Sequence, residues 1–479
     1  MSETAGERIE RVIRDLQPET AFDGRTGPTQ TLAERMARCH TPGTSIAVVD
    51  GFALAWAAGF GLRRAGTAEA VTPDTLFQAA SISKPIFALA VMRLVQEGVL
   101  DLDRDVNDYL TSWRVPANDG WQPRVTLREL LSHCAGMTVD GFPGYTPGET
   151  APTLVQVLEG RPPAHTPPIR VNVLPGLTYR YSGGGTTVAQ QVVVDRLGMP
   201  FPQLMRELVL GPLGMENSTF EQPPPPAWAG RMAAGHPWKG RTLPGGFHVY
   251  PEMAAAGLWT TAGDLARAGL EVMHALAGRP TALLRQDSAQ AMLQPQMAAQ
   301  AEGFCPALGF FLRGEGPGLR FYHTGWNEGF VALAMFYPDS GQGAVVMLNS
   351  NEGNDLMFEI ARAIGREYGW PGAVPEERPH LELAQPGRYA GLYAGEAGAR
   401  FRVLEGDESI FLQAGRQPAL RLDATSELEF LAREVNAAVA FQQNEAGAIV
   451  ALTLLQDGQA VRARLVGPPD RGQDPAHTP

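Results

Sequence analysis

Lysine is nearly absent from this chain: among 479 residues only Lys84 and Lys239 carry an ammonium group, and arginine supplies the rest of the 39 basic side chains. Against 51 acidic residues this leaves a net charge of −12, and no stretch clusters Lys or Arg densely enough to follow a phosphate backbone, which excludes nucleic acid as a partner. Cysteine is equally scarce. Cys39, Cys134 and Cys305 are widely spaced and form no C-x-x-C pair, so they read as small buried apolar side chains and not as a disulfide framework. No apolar window approaches the roughly eighteen residues of a membrane span; the best candidate, Pro85 to Val95, is broken by Arg93 and reads as a buried helix. The start, MSETAGERIERVIRDLQPET, mixes charged and apolar residues where an export signal would place a basic segment and then an apolar run, so the expected location is cytoplasmic. The absence of H-E-x-x-H and of any His/Cys cluster speaks against a metal, and that of G-x-S-x-G against an α/β-hydrolase. No organic cofactor is implied, and the oligomeric state is left open.

What is present is a globular balance, 44% apolar and 19% charged residues, on a chain longer than one core usually serves. A large domain plus a smaller one is expected. Residues 1–28 read as a helix and a loose link, an N-terminal extension. Thr44–Val49 and Ala53–Gly61 are apolar runs split by Asp50-Gly51, which predicts a hairpin. Ile86, Phe87, Ala90, Val91, Leu94 and Val95 recur at helical spacing, Gly98 follows as a left-handed cap, and Pro85 fits only in the first turn, so Ser81 stands at a helix entrance. Helices dominate the middle, with segments at 127–132, 153–159, 186–197, 202–210 and 261–277. Strands return at 319–323, 329–337 and 343–349, and a helix at 355–368 closes a domain spanning 29–370. After a Pro- and Glu-rich linker, 371–385, short strands recur about every ten residues from 386 to 467, the pattern of a small antiparallel barrel or sandwich. The tail, 468–479, lacks an apolar face and reads as disordered. The fold class is therefore α+β, an antiparallel sheet flanked by helices with an all-helical region and a small C-terminal β-domain.

Three short segments carry chemistry. In Ser81-Ile82-Ser83-Lys84 the first and last residues share a helix face, so an amine can sit beside a hydroxyl that attacks poorly unless a neighbour takes its proton. Arginine, which supplies nearly all the other positive charge, cannot accept that proton. Tyr181-Ser182-Gly183 lies ahead of a helix, and a phenol held partly ionised by Lys84 would serve as a base. His323-Thr324-Gly325-Trp326 stands at the end of a strand, where Gly325 would let a substrate lie against the strand edge.

Together, in this order and spacing, the three segments resemble the serine β-lactamase, penicillin-binding protein and related esterase superfamily, particularly its class C-like branch, whose pattern is S-x-x-K, then Y-x-N or Y-S-G, then K-T-G or H-x-G. Gly98–Asp103, Leu130–Met137 and Gly257–Leu265 are similar to that branch as well. The resemblance spans about residues 30–370, and 386–467 are more loosely similar to an appended lipocalin-like β-domain. It implies a β-lactamase/transpeptidase-like fold in which Ser81 is the nucleophile, Lys84 accepts or relays its proton, and Tyr181 protonates the leaving group and later activates water. His323 would orient Tyr181 or the substrate. The backbone N–H groups of Ser81 and Trp326 would form the oxyanion hole, and Gly183, Thr324, Gly325 and Trp326 would line the substrate. His133 and Asp264 read as structural; Trp259, Trp326, Phe330 and Tyr322 are cleft-wall candidates.

Two departures bear on substrate. Gly183 stands where β-lactam-hydrolysing members carry an asparagine, and His323 replaces a lysine whose charge would meet a carboxylate. Both point to small uncharged esters or amides handled through an acyl-enzyme on Ser81. A D-aminopeptidase, DD-carboxypeptidase or β-lactamase is the alternative within the fold, and a non-catalytic recognition module the alternative outside catalysis.

Overall fold

The computed structural model describes the chain except residues 1–3, 18–19, 23–28, 301–302, 372–375, 396–397, 407–408, 416, 418, 433–436, 457–458 and 469–479. The segment read as a disordered tail lies, but for residue 468, outside the described residues, as do 372–375 of the expected linker. Two compact units emerge. One combines Met1–Leu16 with Gln30–Ala373, the other Gln17–Thr29 with Val374–Pro479.

The first unit is built on a seven-stranded antiparallel sheet: β1 (Gly43–Asp50), β2 (Ala53–Gly61), β3 (Phe304–Pro306), β4 (Phe311–Arg313), β5 (Arg320–Asn327), β6 (Phe330–Tyr337) and β7 (Gln342–Leu348), in the order β2-β1-β7-β6-β5-β4-β3. Pairing of β1 with β7 joins the two ends of the unit. Both faces are covered, so alternate residues enter different cores. Ala47, Val49, Ala332, Ala334, Val345 and Met347 face the larger core, and Ile46, Val48, Val331, Leu333, Val346 and Leu348 the smaller. Double-sided burial is why these strands read as continuous apolar runs and not as alternating ones.

Helices α1 (Ala5–Arg14), α2 (Leu32–Arg38) and the late helix Asn354–Tyr368 supply the smaller core. Val12 and Leu16 are buried in it, and Arg11 holds Glu367 through a two-pronged ion pair at 2.6 and 2.8 Å, so the first helix is built into this unit. The larger core holds α3 (Ser83–Gln96), α4 (Gly183–Leu197), α5 (Met253–Ala256) and α6 (Ala262–Leu276).

Three local expectations need correction. The β1–β2 turn is centred on Gly51-Phe52, both at positive φ, and not on Asp50-Gly51, because Asp50 pairs with Ala53. Phe52 tolerates φ 66° there: its N–H donates to Gly341 O at 2.9 Å, and the Arg279 guanidinium lies 3.8 Å above its ring. His323 does not end its strand, since β5 runs on to Asn327. The helix expected from Thr186 begins at Gly183, because Ser182 caps it by accepting the Gly185 N–H at 2.9 Å.

In the second unit, eight antiparallel strands between Gly391 and Gly467 close into a barrel, the first pairing with the last. A 3-10 turn, Pro386–Tyr389, precedes its first strand, Gly391–Gly395. Side chains fill the lumen. Tyr389, Phe430 and Phe441 sit with ring centroids 5.0–5.2 Å apart, and the Tyr389 hydroxyl donates to Glu427 O at 2.6 Å. Thr20–Phe22 belongs to this unit, pairing in parallel with Glu376–Arg378.

The fit of α6 on the sheet depends on Gly269, where an added Cβ would stand 2.2 Å from the Phe336 ring. Gly269→Ala is expected to destabilise the first unit by about 1–3 kcal/mol through overpacking. Scanning calorimetry checks this; an unchanged transition would show that α6 can slide freely over Phe336.

Candidate active site

Ser81 lies on the 3-10 turn Ala80–Ile82 that leads into α3. The preceding Ala80 has φ 50°, a left-handed conformation unfavourable for a residue with a Cβ, and its neighbours hold it there. Ser83 Oγ donates to Ala80 O at 2.5 Å and accepts the Leu258 N–H at 3.0 Å, while the Ala79 N–H donates to Leu258 O at 2.9 Å. From the other side β5 presses close. A Cβ on Gly325 would lie 2.2 Å from Ala79 O, so the room this glycine leaves is taken by the chain's own backbone.

Lys84, one turn further on, is buried. Its Nζ donates to Ser81 Oγ at 2.9 Å and to Ala255 O, on α5, at 2.9 Å. Among the described residues no carboxylate pairs with it, and burial pushes the ammonium down to about 7. The amine can therefore lose its proton near neutral pH and accept one.

Tyr181 comes from the segment before α4. Its phenol faces Ser81, whose hydroxyl favours the ionised form, and Lys84 Nζ lies 4.9 Å from the centre of its ring. Burial raises the phenol well above its ordinary value, the reverse of the expected partial ionisation. The same low dielectric that strips a proton from an ammonium keeps one on a phenol, so the ready acceptor is Lys84 and Tyr181 stays a donor. Gly183 and Gly184 are glycines because the segment 138–142 crosses them: added Cβ atoms would meet Asp140 O and Phe142 at 3.0 Å, and Thr138 O at 2.6 Å. Phe142 and Asp140 O thus occupy the direction in which an asparagine at 183 would extend.

His323 is also buried, and desolvation helped by the nearby Lys84 pushes it down to about 3, so the imidazole is neutral. Its Nδ1 lies 2.5 Å from Thr324 O, which places the ring proton there and leaves Nε2, buried and without a partner among the described residues, as an acceptor. The His323 ring centre is 6.3 Å from that of Tyr181. β4 pairs with β5 only as far as Tyr322, so the β5 edge from His323 to Asn327 is free to turn toward the Ser81 turn. Trp326, on this stretch, is 57% exposed and can touch a bound molecule. Thr324 and Tyr322 are half-buried, whereas Trp259 and Phe330, expected on the cleft wall, are fully buried and pack edge to face at 5.8 Å in the core.

Several contributors gave no sequence signal. Asn327 Nδ2 donates to Gln78 Oε1 at 2.9 Å and to Ala256 O at 3.1 Å, tying β5 to the strand before Ser81 and to the helix that holds Lys84. Glu252, just ahead of α5, is buried with no hydrogen-bond partner for either oxygen among the described residues, and burial pushes it up to about 7. Asp264 has the structural place expected of it, accepting from Asn217 N–H at 2.9 Å and Ser218 Oγ at 2.8 Å. No group of His, Cys, Asp and Glu suited to hold a metal occurs among the described residues, and no helix among them is long and apolar enough to cross a membrane.

Comparison with known proteins identifies the family. A family model described as Beta-lactamase matches residues 29–368. Esterase EstB of Burkholderia gladioli is 32% identical over 273 residues, covering 50% of this chain and 66% of that protein. Penicillin-binding protein 4 of Amycolatopsis lactamdurans is 28% identical over 381 residues, covering 75% and 95%. The octameric penicillin-binding protein homologue from Pyrococcus abyssi superposes with a TM-score of 0.64 at 20% identity, covering 90% of this chain and 98% of that one, a likeness of fold. With its Ser-Lys pair inside the matched region, the chain belongs to the beta-lactamase family and is a serine hydrolase.

Proposed function

We propose that the chain hydrolyses small uncharged carboxylic esters or amides through an acyl-enzyme on Ser81. The observation that carries this reading is the buried Lys84 amine 2.9 Å from Ser81 Oγ, brought to about 7 by desolvation alone. Unprotonated Lys84 takes the Ser81 proton as Oγ attacks the carbonyl carbon. The oxyanion is received by the backbone N–H groups of Ser81 and Trp326, the second on the strand edge that β4 leaves open. Tyr181 then passes its proton to the departing alkoxide or amine and is reprotonated by the Lys84 ammonium, which carries the proton taken from Ser81. In the second half-reaction unprotonated Lys84 takes a proton from the water that attacks the acyl carbon and returns it to Ser81 Oγ as the acid leaves.

The ester preference rests on charge and space. His323 stays neutral and supplies no cation for a substrate carboxylate, while its Nε2 can accept a hydrogen bond from the substrate or a bridging water. Phe142 and Asp140 O close the space in which an amide-binding side chain at position 183 would lie. A relative named as an esterase is consistent with this choice. D-peptide and β-lactam hydrolysis are the competing outcomes of a direct comparison of p-nitrophenyl ester, D-alanyl peptide and nitrocefin turnover. Dominant nitrocefin turnover would overturn the ester reading.

Because Lys84 must lose its proton to act, kcat/KM is expected to fall about tenfold per pH unit below an acid limb near 7, and the limb should vanish in Lys84→Arg along with the activity. A limb near 4 would place the base elsewhere. Tyr181→Phe should lower kcat by roughly 10²–10⁴ while Ser81 remains the site of fluorophosphonate labelling found by peptide mass mapping. Undiminished turnover would remove the phenol from the proton path.

A further inference from the structure

We propose that His133, read from the sequence as structural, is a positioning residue that sets the phenol of Tyr181 on Ser81; this rests on the role given to Tyr181 above. Three contacts from this one residue converge on the tyrosine. Its carbonyl accepts the Arg180 N–H at 2.8 Å, and its Nδ1 accepts the Ser182 N–H at 3.1 Å. The amides on either side of Tyr181 therefore both end on His133, which fixes the direction in which the Cα–Cβ bond between them points. The imidazole then lies against the phenol ring, centroids 4.3 Å apart and planes 35° from parallel, which limits rotation about the side chain. Tyr179 meets the imidazole edge to face at 6.3 Å and Phe311 stacks at 6.2 Å, so the ring that supports Tyr181 is itself supported.

The backbone at His133 is also out of the ordinary. At φ 60° it is left-handed, a conformation that an ordinary helix exit would assign to glycine. In this turn a single residue presents its carbonyl to 180 and its side chain to 182. An accepting Nδ1 requires the neutral ring with its proton on Nε2. Burial, with Lys84 and His323 nearby, holds the imidazole well below its ordinary range, so it does not become a cation whose Nδ1–H would face the Ser182 N–H.

The test compares His133→Phe, which keeps an aromatic ring and loses the acceptor, with His133→Asn, whose side-chain oxygen can take the place of Nδ1 and which tolerates positive φ. Each is made in the wild type and in Tyr181→Phe. His133→Phe should lower kcat for a p-nitrophenyl ester by about tenfold or more with KM held within about twofold, since small misplacement of a reacting group falls on kcat. His133→Asn should recover most of that loss. In the Tyr181→Phe background His133→Phe should change kcat by less than about twofold, because its effect passes through the missing hydroxyl. An equal loss in both backgrounds, or no recovery by asparagine, overturns the proposal. A readout free of turnover is the ¹³Cζ resonance of Tyr181, recognised by its disappearance in Tyr181→Phe. It should shift in His133→Phe, which keeps a ring beside it, and an unmoved resonance there overturns the positioning role. A shifted resonance in a protein that turns over no substrate would leave the positioning intact and overturn the hydrolase mechanism instead.

Discussion

Everything at the site depends on desolvation of one amine. Lys84 is enclosed with two oxygen acceptors, Ser81 Oγ and Ala255 O, and no carboxylate among the described residues, so the protein withholds the stabilisation that water or a counter-ion would give the ammonium. The same enclosure acts on its neighbours with signs set by their chemistry. It keeps the Tyr181 phenol protonated and the His133 and His323 imidazoles neutral. Neutral phenol and imidazole groups thus surround an amine poised to lose its charge, a setting suited to moving a proton along hydrogen bonds.

The fold serves that setting by bringing backbone very close to backbone. Ala79 lies against β5 where only glycine fits, Ala80 is held in a left-handed turn by Ser83, and Asn327 bridges the strand to Gln78 and Ala256. The nucleophile is fixed by elements far apart in sequence, so no local propensity carries its geometry. This also gives Gly325 a meaning different from the one its sequence position suggests: its missing side chain is space for the protein before it is space for a substrate.

Much of the site could be read in advance, because the motif residues are of types whose combination is chemically distinctive. A lysine one helical turn from a serine, in a chain with only two lysines, points to an amine beside a hydroxyl. The β1–β2 hairpin, α3 and the repeating C-terminal strands were legible from apolar spacing and turn residues. What escaped was set by tertiary contact. The start of α4 depends on a Ser182 cap reaching over glycines that 138–142 crosses, and the continuation of β5 past His323 depends on pairing with β6. Trp259 and Phe330 resembled cleft residues because of where they stand in the sequence, yet burial is a property of the packed fold. The direction of the Tyr181 shift was likewise unreadable, since it follows from how completely the pocket excludes water.

The barrel of the second unit invites comparison with carrier proteins of the same outline, which enclose a hydrophobic passenger. Here Tyr389, Phe430 and Phe441 stopper the lumen, and further apolar side chains such as Val403, Leu412 and Leu452 occupy the rest. A cargo molecule would have to evict residues that hold the barrel together. Whatever this unit contributes is therefore delivered by its outer wall and its rims, and converting it into a container would mean hollowing out its own foundation.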